Sequence, residues 1–157
     1  MHKEDIIFLH APSVYDFRKR SIFYGPVSDL VPSTPVFEMY PFGFTTMANR
    51  LDRDGYRVRI INLASMMLND RRLDVEALIG RLRSNVFGID LHWLPHAHGA
   101  LAIAEMVKRL HPDSKVLFGG FSSSYFQEEL INYPQADMVL RGDSCEEPLA
   151  VLMAALE

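Results

Sequence analysis

Ile6-Ile7-Phe8-Leu9 is an unbroken apolar run near the start of the chain, and the predicted fold is built outward from it. A short apolar run without polar alternation is typical of a strand that is buried on both faces, as strands are in parallel sheets covered by helices. Similar runs recur along the chain, and we predict four further strands at 57–62, 86–91, 115–118 and 137–140.

Amphipathic helical repeats separate these predicted strands. Each repeat has the i, i+3, i+4, i+7 spacing and gives one apolar stripe that can face a sheet. The repeats lie at 44–51, 75–82, 103–110 and 149–156, with a shorter helical segment at 125–132. A β-α-β-α alternation predicts a parallel sheet with right-handed crossovers. We therefore predict an α/β fold of the doubly wound, flavodoxin-like or Rossmann-like kind. It forms one domain over 1–157, with a five-stranded parallel sheet in the order 2-1-3-4-5 and helices on both faces.

Composition and charge restrict the class of protein. The chain has 157 residues, of which 48% are hydrophobic, so one domain can bury a core without cross-links. A formal net charge of −4 does not favour nucleic acid or an anionic membrane surface as a partner. The single cysteine, Cys145, excludes a disulfide framework, a four-cysteine zinc site and an iron–sulfur cluster held by this chain alone. No apolar run has the length of a signal peptide or a membrane span, so we expect a cytoplasmic protein.

The segment 11–40 interrupts the alternation between the first strand and its helix. It is rich in proline and aromatic residues. A loop of this length in a compact domain is usually functional or disordered, and the aromatic content argues against disorder. We consider three roles for this insertion: a flap over apolar surface, a lid beside a ligand, or a surface for a partner domain.

Four segments converge at the carboxyl edge of the predicted sheet, where ligands of such folds bind. They are 10–13, 90–99, 119–124 and 141–144. The pair Gly119-Gly120 lets the backbone approach a bulky ligand and adopt a positive φ, although a tight turn after the strand explains it equally well. The serines that follow can cap a helix or hydrogen-bond a ligand.

Asp90, His92, His96 and His98 have the side chains that bind zinc or iron. Their spacing matches no standard metal motif. The alternatives are a structural histidine beside Trp93 and polar groups that line an organic ligand. The chain also lacks the Gly-x-Ser-x-Gly elbow of serine hydrolases and the Gly-x-Gly-x-x-Gly fingerprint of dinucleotide sites.

Several motifs resemble the cobalamin (B12)-binding domains that are joined to radical S-adenosylmethionine (SAM) catalytic domains. Pro41-Phe42-Gly43-Phe44 resembles the Pro-x-Gly motif before their first helix, and Phe87-Gly88-Ile89-Asp90 resembles their third strand. Val116-Leu117-Phe118-Gly119-Gly120 resembles their fourth strand, and residues 137–143 resemble their fifth strand with the Gly-acid pair that follows it. The resemblance extends over almost the whole chain.

This resemblance implies a Rossmann-like fold that holds cobalamin between the edge of the sheet and a separate radical SAM barrel. The nucleotide tail of the cofactor would run beside the third and fourth strands. It implies no catalytic residue and no metal bound by the protein alone. The cofactor-binding residues that it implies are Pro12, Ser13, Asp90, Leu91, His92, Trp93, His96, Gly119, Gly120, Ser122, Ser123, Arg141, Gly142 and Asp143.

The sequence departs from the related domains in several respects. Asp90 replaces the serine of their third strand, and Gly142-Asp143-Ser144 stands where they have acid-Gly-acid. Residues 10–15 stand where methionine-synthase-like domains have the Asp-x-His-x-x-Gly motif, so any bound cobalamin should lack the histidine ligand of that motif. Asp90-Leu91-His92 matches half of the motif, but after a different strand. A radical SAM domain also needs a Cys-x-x-x-Cys-x-x-Cys motif, which a chain with one cysteine cannot supply.

We therefore expect this chain to be the N-terminal, non-catalytic part of a longer enzyme. The [4Fe–4S] cluster and SAM would belong to a downstream radical SAM domain, which would be its partner. Two alternatives stay open. One is a degenerate scaffold that docks the catalytic barrel and no longer binds cobalamin. The other is a stand-alone flavodoxin-like protein that uses its histidines to bind a metal ion.

Overall fold

The computed structural model describes residues 3–19 and 41–156, over which five strands alternate with helices. The strands are β1 (Glu4–His10), β2 (Val58–Asn62), β3 (Ser84–Asp90), β4 (Lys115–Gly119) and β5 (Met138–Val139). The helices are α1 (Phe42–Arg53), α2 (Leu63–Asn69), α3 (Val75–Arg81), α4 (Ala97–Leu110), α5 (Phe121–Tyr125), α6 (Gln127–Leu130) and α7 (Glu146–Ala155), and a 3-10 turn at Leu94–His96 precedes α4. Across the described ranges, no helix is long and apolar enough to cross a bilayer.

The strands form one parallel sheet in the order β2-β1-β3-β4-β5. This confirms the predicted fold class and strand order. The register pairs Leu9 of β1 with Ile61 of β2 and Ile89 of β3, and it pairs Asp90 of β3 with Gly119 of β4. The carboxyl ends of these strands therefore lie at one level, and the loops that follow β1, β3 and β4 meet there.

Alternate residues of the central strands face two layers of helices. On one face, Ile7 and Phe87 belong to the apolar core that α2, α3 and α4 cover. On the other face, Ile6 and Phe8 pack with α1 and α7, and the ring of Phe8 stacks on that of Phe44 at 4.6 Å between centroids. The strands are therefore buried on both faces, as the apolar run at 6–9 indicates.

Helices α2 and α5 and strand β5 differ from the sequence-based expectation, since the predicted helical segment at 125–132 corresponds to α6 and not to α5. Helix α2 was not predicted; it begins directly after β2, where the Asn62 side chain caps it by accepting a hydrogen bond from the N–H of Ser65 at 2.8 Å. Strand β5 has only two residues, and directly before it the Asp137 carboxylate accepts a hydrogen bond from the N–H of Val116 at 2.7 Å.

The structure describes only part of the predicted insertion at 11–40. Tyr15 and Phe17 pack against the core on the face that carries α4. The carbonyl of Ser13 accepts a hydrogen bond from the N–H of Gly99, in the first turn of α4, at 3.0 Å. Residues 20–40 lie outside the described residues, and the role of the insertion as a flap, a lid or a partner surface stays a prediction.

Candidate functional site

Two adjoining cavities open at the carboxyl end of the sheet, between the first turns of α1 and α7 and the loop after β4. Their volumes are about 270 and about 260 Å³. Because Gly43, Met47, Gly119 and Gly120 line both, we treat them as one site, the edge cavity. Together they reach the size of small-molecule sites, roughly 300 to 1,000 Å³. The other lining residues are Thr46, Phe121, Leu140, Gly142, Asp143, Cys145 and Glu146 on one side, and Pro41, Phe42, Phe44, Asp90 and His92 on the other.

Glycines leave the wall of the edge cavity open. Among the residues that the structure describes, a Cβ atom at Gly43 would meet no other atom within 4 Å, and a Cβ atom at Gly119 would meet only Cβ of Leu140 at 4.0 Å. A large side chain at Gly43 would therefore occupy space that is now part of the cavity. Phe44, Met47 and Leu140 give the wall an apolar character. The edge cavity therefore suits a ligand that has a flat, largely apolar portion.

Gly120 has a different role, because it brings the loop after β4 against the loop after β3. Its φ is +108°, and a Cβ atom there would lie 2.8 Å from the backbone nitrogen of His92. The N–H of Leu91 donates to the carbonyl of Gly119 at 2.7 Å, and the Ser122 hydroxyl donates to the carbonyl of His92 at 3.1 Å. The two loops therefore form one rigid unit beside the edge cavity.

Asp90, buried at the end of β3, accepts hydrogen bonds from two imidazole rings. Nδ1 of His10, at the end of β1, lies 2.8 Å from Oδ2 of Asp90, and Nδ1 of His92 lies 2.9 Å from the same oxygen. Burial on its own would raise the pKa of Asp90, but the hydrogen bonds from His10 and His92 lower that pKa to about 2. Asp90 is therefore an ionised acceptor, and both Nδ1 atoms carry the protons that they donate.

A third imidazole, that of His96, packs against these two. Its ring centroid lies 5.6 Å from that of His10 and 5.2 Å from that of His92. His10 and His96 are 0% and 1% exposed, whereas the side chain of His92 is 32% exposed and lies 5.8 Å from the Trp93 ring. Within residues 3–19 and 41–156, no three or more His, Cys, Asp or Glu side chains are grouped so as to hold a metal ion. The cluster is therefore a hydrogen-bonded and packed unit, and the hypothesis of a metal site made by these histidines gains no support.

The structure brings some of the predicted site residues to the edge cavity and leaves others away from it. Leu91, Ser122 and Ser123 are buried where the loops after β3 and β4 meet, and Trp93 and Arg141 are exposed outside the lining. Those that line the cavity are Asp90, His92, Gly119, Gly120, Gly142 and Asp143.

Pro12 and Ser13, after β1, are packed under α4 rather than at the edge cavity. Both are buried, and a Cβ atom at Gly99 would lie only 1.6 Å from the carbonyl oxygen of Pro12. His98, further along the first turn of α4, is exposed and accepts a hydrogen bond from the N–H of Tyr15 at 3.3 Å.

Sequence reasoning missed several residues of this site. One is His10, which lies in the predicted segment 10–13 but was not named as a site residue; the signal that could have singled it out is a polar side chain at the end of an otherwise apolar, buried strand. The others belong to the α1 and α7 side of the wall. Met47 and Leu140 are apolar and carry no signal that separates a cavity wall from a core, and Cys145 was not among the predicted site residues.

The fold is similar to that of a solved structure of the radical SAM methyltransferase TsrM from Kitasatospora setae, with tryptophan substrate and a SAM analogue bound. The TM-score is 0.68 at 18% sequence identity, and the match covers 96% of this chain and 25% of that chain. At this identity the likeness shows the fold alone. The chain spans about a quarter of the length of TsrM. Among curated proteins, none matches the chain significantly.

A sequence model of one family matches most of the chain. The model is that of the B12 binding domain, and it matches residues 29–152. The matched range contains α1, the glycines of the edge cavity, and the loops after β3, β4 and β5. The chain therefore belongs to the B12-binding domain family.

Proposed function

We propose that this chain binds cobalamin, with the nucleotide tail of the cofactor in the edge cavity. The observation that carries the proposal is the open wall at Gly43 and Gly119, where Cβ atoms would meet no atom of residues 3–19 or 41–156 closer than 4.0 Å. The dimethylbenzimidazole ring of the tail is a flat, largely apolar group that fits such a wall. When bound, cobalamin supplies a cobalt ion that can carry a methyl group or change its oxidation state.

Different residues around the edge cavity would make different contributions to cobalamin binding. Gly43 and Gly119 would leave room for the tail, and Met47 and Leu140 would contact it. Asp90 and His92 line the part of the cavity farther from α7. The tail would exclude water from the apolar wall, and burial of apolar surface contributes roughly 25 cal/mol for each Å².

The loop after β1 would not provide the histidine ligand that the Asp-x-His-x-x-Gly motif provides elsewhere. The histidine closest to that place, His10, has no exposed surface, and its Nδ1 is bound to Asp90. Pro12 and Ser13 are held under α4 by their close contact with Gly99. We propose that the cofactor is held without a ligand from this loop.

The carboxyl edge of the sheet also has exposed apolar side chains, which supports the proposal that a radical SAM domain of the same protein covers it. Phe42 and Phe121 line the edge cavity and are 74% and 72% exposed, and Trp93 is 44% exposed. Large exposed aromatic groups around a cavity are typical of ligand and domain contacts. The reaction of the whole protein would be methyl transfer or another radical reaction.

Retention of cobalamin tests the proposal. We expect the chain to keep the absorbance of hydroxocobalamin through desalting. The variant Gly43→Phe, which fills the edge cavity, should weaken binding about tenfold or more, which corresponds to at least about 1.4 kcal/mol. Gly43→Ala is the matched control, because it changes the helix in the same way without filling the cavity. A colourless wild-type chain would support the degenerate scaffold, and equal binding by the Phe variant would place the tail elsewhere.

A further inference from the structure

We propose that Nε2 of His92 is the protein ligand to the cobalt of bound cobalamin, presented from the loop after β3. This inference rests on the proposed function, since it needs cobalamin at the edge cavity. It assigns to His92 a role that the loop after β1 cannot fill in this chain.

The first argument is the orientation of the His92 ring. Its Nδ1 lies 2.9 Å from Oδ2 of Asp90, and a carboxylate can only accept a hydrogen bond there. The proton of a neutral His92 therefore lies on Nδ1, and the lone pair lies on Nε2. A carboxylate that fixes the tautomer and raises the basicity of the other ring nitrogen is the usual second partner of a metal-binding histidine.

The second argument is that the His92 ring is accessible from the edge cavity. Of the three packed imidazoles, only that of His92 lines the edge cavity, with 32% of its side chain exposed. His10 and His96 are 0% and 1% exposed. No hydrogen bond from a residue in 3–19 or 41–156 reaches Nε2 of His92, so this nitrogen can bind a group in the cavity.

The third argument is rigidity. The backbone nitrogen of His92 is close to Gly120, where a Cβ atom would come within 2.8 Å of it, and the carbonyl of His92 accepts the Ser122 hydroxyl at 3.1 Å. The ring and the backbone are therefore fixed from three sides, by Asp90, Gly120 and Ser122. A ligand that is held in place before binding loses little conformational entropy on coordination.

One histidine is sufficient for this role. A zinc or iron site made by the protein alone needs several side chains, and none is grouped in that way in the part of the chain that the structure describes. Cobalt in cobalamin already has four nitrogen ligands from the corrin ring. The protein would therefore have to supply only a single donor, His92, and Asp90 would act as its positioning residue.

Electron paramagnetic resonance of cob(II)alamin bound to the chain tests this inference without an activity assay. The chain is produced with ¹⁵N-labelled histidine and loaded with cob(II)alamin. Coordination by a protein histidine should give doublet superhyperfine splitting in the labelled chain and triplet splitting in the unlabelled chain. Coordination by the cofactor's own base gives a triplet in both.

Two variants identify which histidine supplies the nitrogen that binds cobalt. We expect His92→Ala to retain cobalamin and to lose the doublet, and added unlabelled imidazole to restore a triplet. His98→Ala, a change at an exposed histidine outside the edge cavity, should keep the doublet.

The outcomes separate this inference from the proposed function. A bound cofactor with a triplet in the labelled chain, with no nitrogen splitting, or with a doublet that survives in His92→Ala would overturn the role of His92 and leave cobalamin binding intact. A wild-type chain that retains no cobalamin would overturn both.

Discussion

Oδ2 of Asp90 lies 2.8 Å from Nδ1 of His10, although the two residues are 80 positions apart in sequence and belong to neighbouring strands. Both are buried, and His10 has no exposed surface. A buried carboxylate is stable only with partners that compensate for its lost hydration. The contact therefore joins β1 to β3 at the edge where the ligand would bind, and its protonation should affect the stability of the domain.

We expect Asp90 to stabilise the fold in a manner that depends on pH. Its pKa is lowered from the ordinary value of 3.8 to about 2 in the folded chain. A lowered pKa gives a contribution that is complete above the unfolded pKa and is lost as pH falls through the folded pKa. The wild type should therefore lose about 2 kcal/mol of unfolding free energy between pH 4 and pH 2 from this group.

Urea denaturation of the wild type and of Asp90→Asn, followed by circular dichroism from pH 7 to pH 2, measures this contribution. At pH 7 the variant should be less stable by about 3 kcal/mol, because it loses hydrogen bonds to an ionised acceptor. The difference in unfolding free energy between the wild type and Asp90→Asn should become smaller below pH 4. Asp113→Asn, at an exposed carboxylate, is the control and should show no such narrowing. A constant difference down to pH 2 would show that Asp90 does not titrate in this window.

Gly120 and Gly43 line the same cavity, but substitution by alanine should change the stability of the fold differently at the two positions. Gly120→Ala introduces a side chain at a φ of +108° and within 2.8 Å of the His92 backbone, so we expect a loss on the order of 1 to 3 kcal/mol. Gly43→Ala adds a methyl group within α1 at a place where no described residue lies within 4 Å of it, and it should be neutral or stabilising by about 0.5 to 1 kcal/mol. Unfolding midpoints in urea measure both, and equal effects would contradict the backbone geometry of Gly120.

Gly99 should be necessary for the packing of α4 on the loop after β1. A Cβ atom at this position would lie 1.6 Å from the carbonyl oxygen of Pro12, so α4 or the loop must move in Gly99→Ala. We expect a loss of about 3 kcal/mol or more, as in an overpacked core. Gly80→Ala in α3 is a matched change, because its Cβ atom would meet only Leu110 at 4.0 Å. If thermal denaturation showed similar stability for both variants, the close approach of Pro12 to α4 would be wrong.

The fold could be predicted from sequence because its signals are local and repeated. The apolar run at 6–9 indicates a strand buried on both faces, and the stripe at 103–110 indicates a helix on one face of the sheet. Helix α2 was not predicted because it has only seven residues and begins directly after β2. A helix this short cannot show a repeating apolar pattern.

The candidate site was harder to predict because its contacts join residues that are distant in sequence. The contact between Asp90 and His92 is the local exception: side chains at i and i+2 of an extended chain share a face, and these two lie 2.9 Å apart just where β3 ends. The hydrogen bond between His10 and Asp90 forms because β1 and β3 are neighbours in the sheet. The apolar pattern of a single strand does not reveal which strand lies beside it. The apolar wall from Met47 and Leu140 has the same composition as a core.

Cys145 offers a direct test of where the cofactor's tail lies, because it is the only cysteine of the chain and it lines the edge cavity. Burial raises the pKa of its thiol, and the carboxylates of Glu146 and Asp143 raise it further. Little thiolate is therefore present at neutral pH, and alkylation should be slow there and should accelerate as pH rises.

If the nucleotide tail occupies the edge cavity, bound cobalamin should slow the alkylation of Cys145 several-fold at a fixed, mildly alkaline pH. Mass spectrometry of the intact chain gives the rate, since a single site of modification produces a single mass shift. Gly43→Phe is the informative variant: it should react with the same rate whether or not cobalamin is added, because its cavity cannot admit the tail. Retained cobalamin together with an unchanged rate in the wild type would show that the tail does not pass Cys145, and would move it towards the Asp90 and His92 side of the cavity.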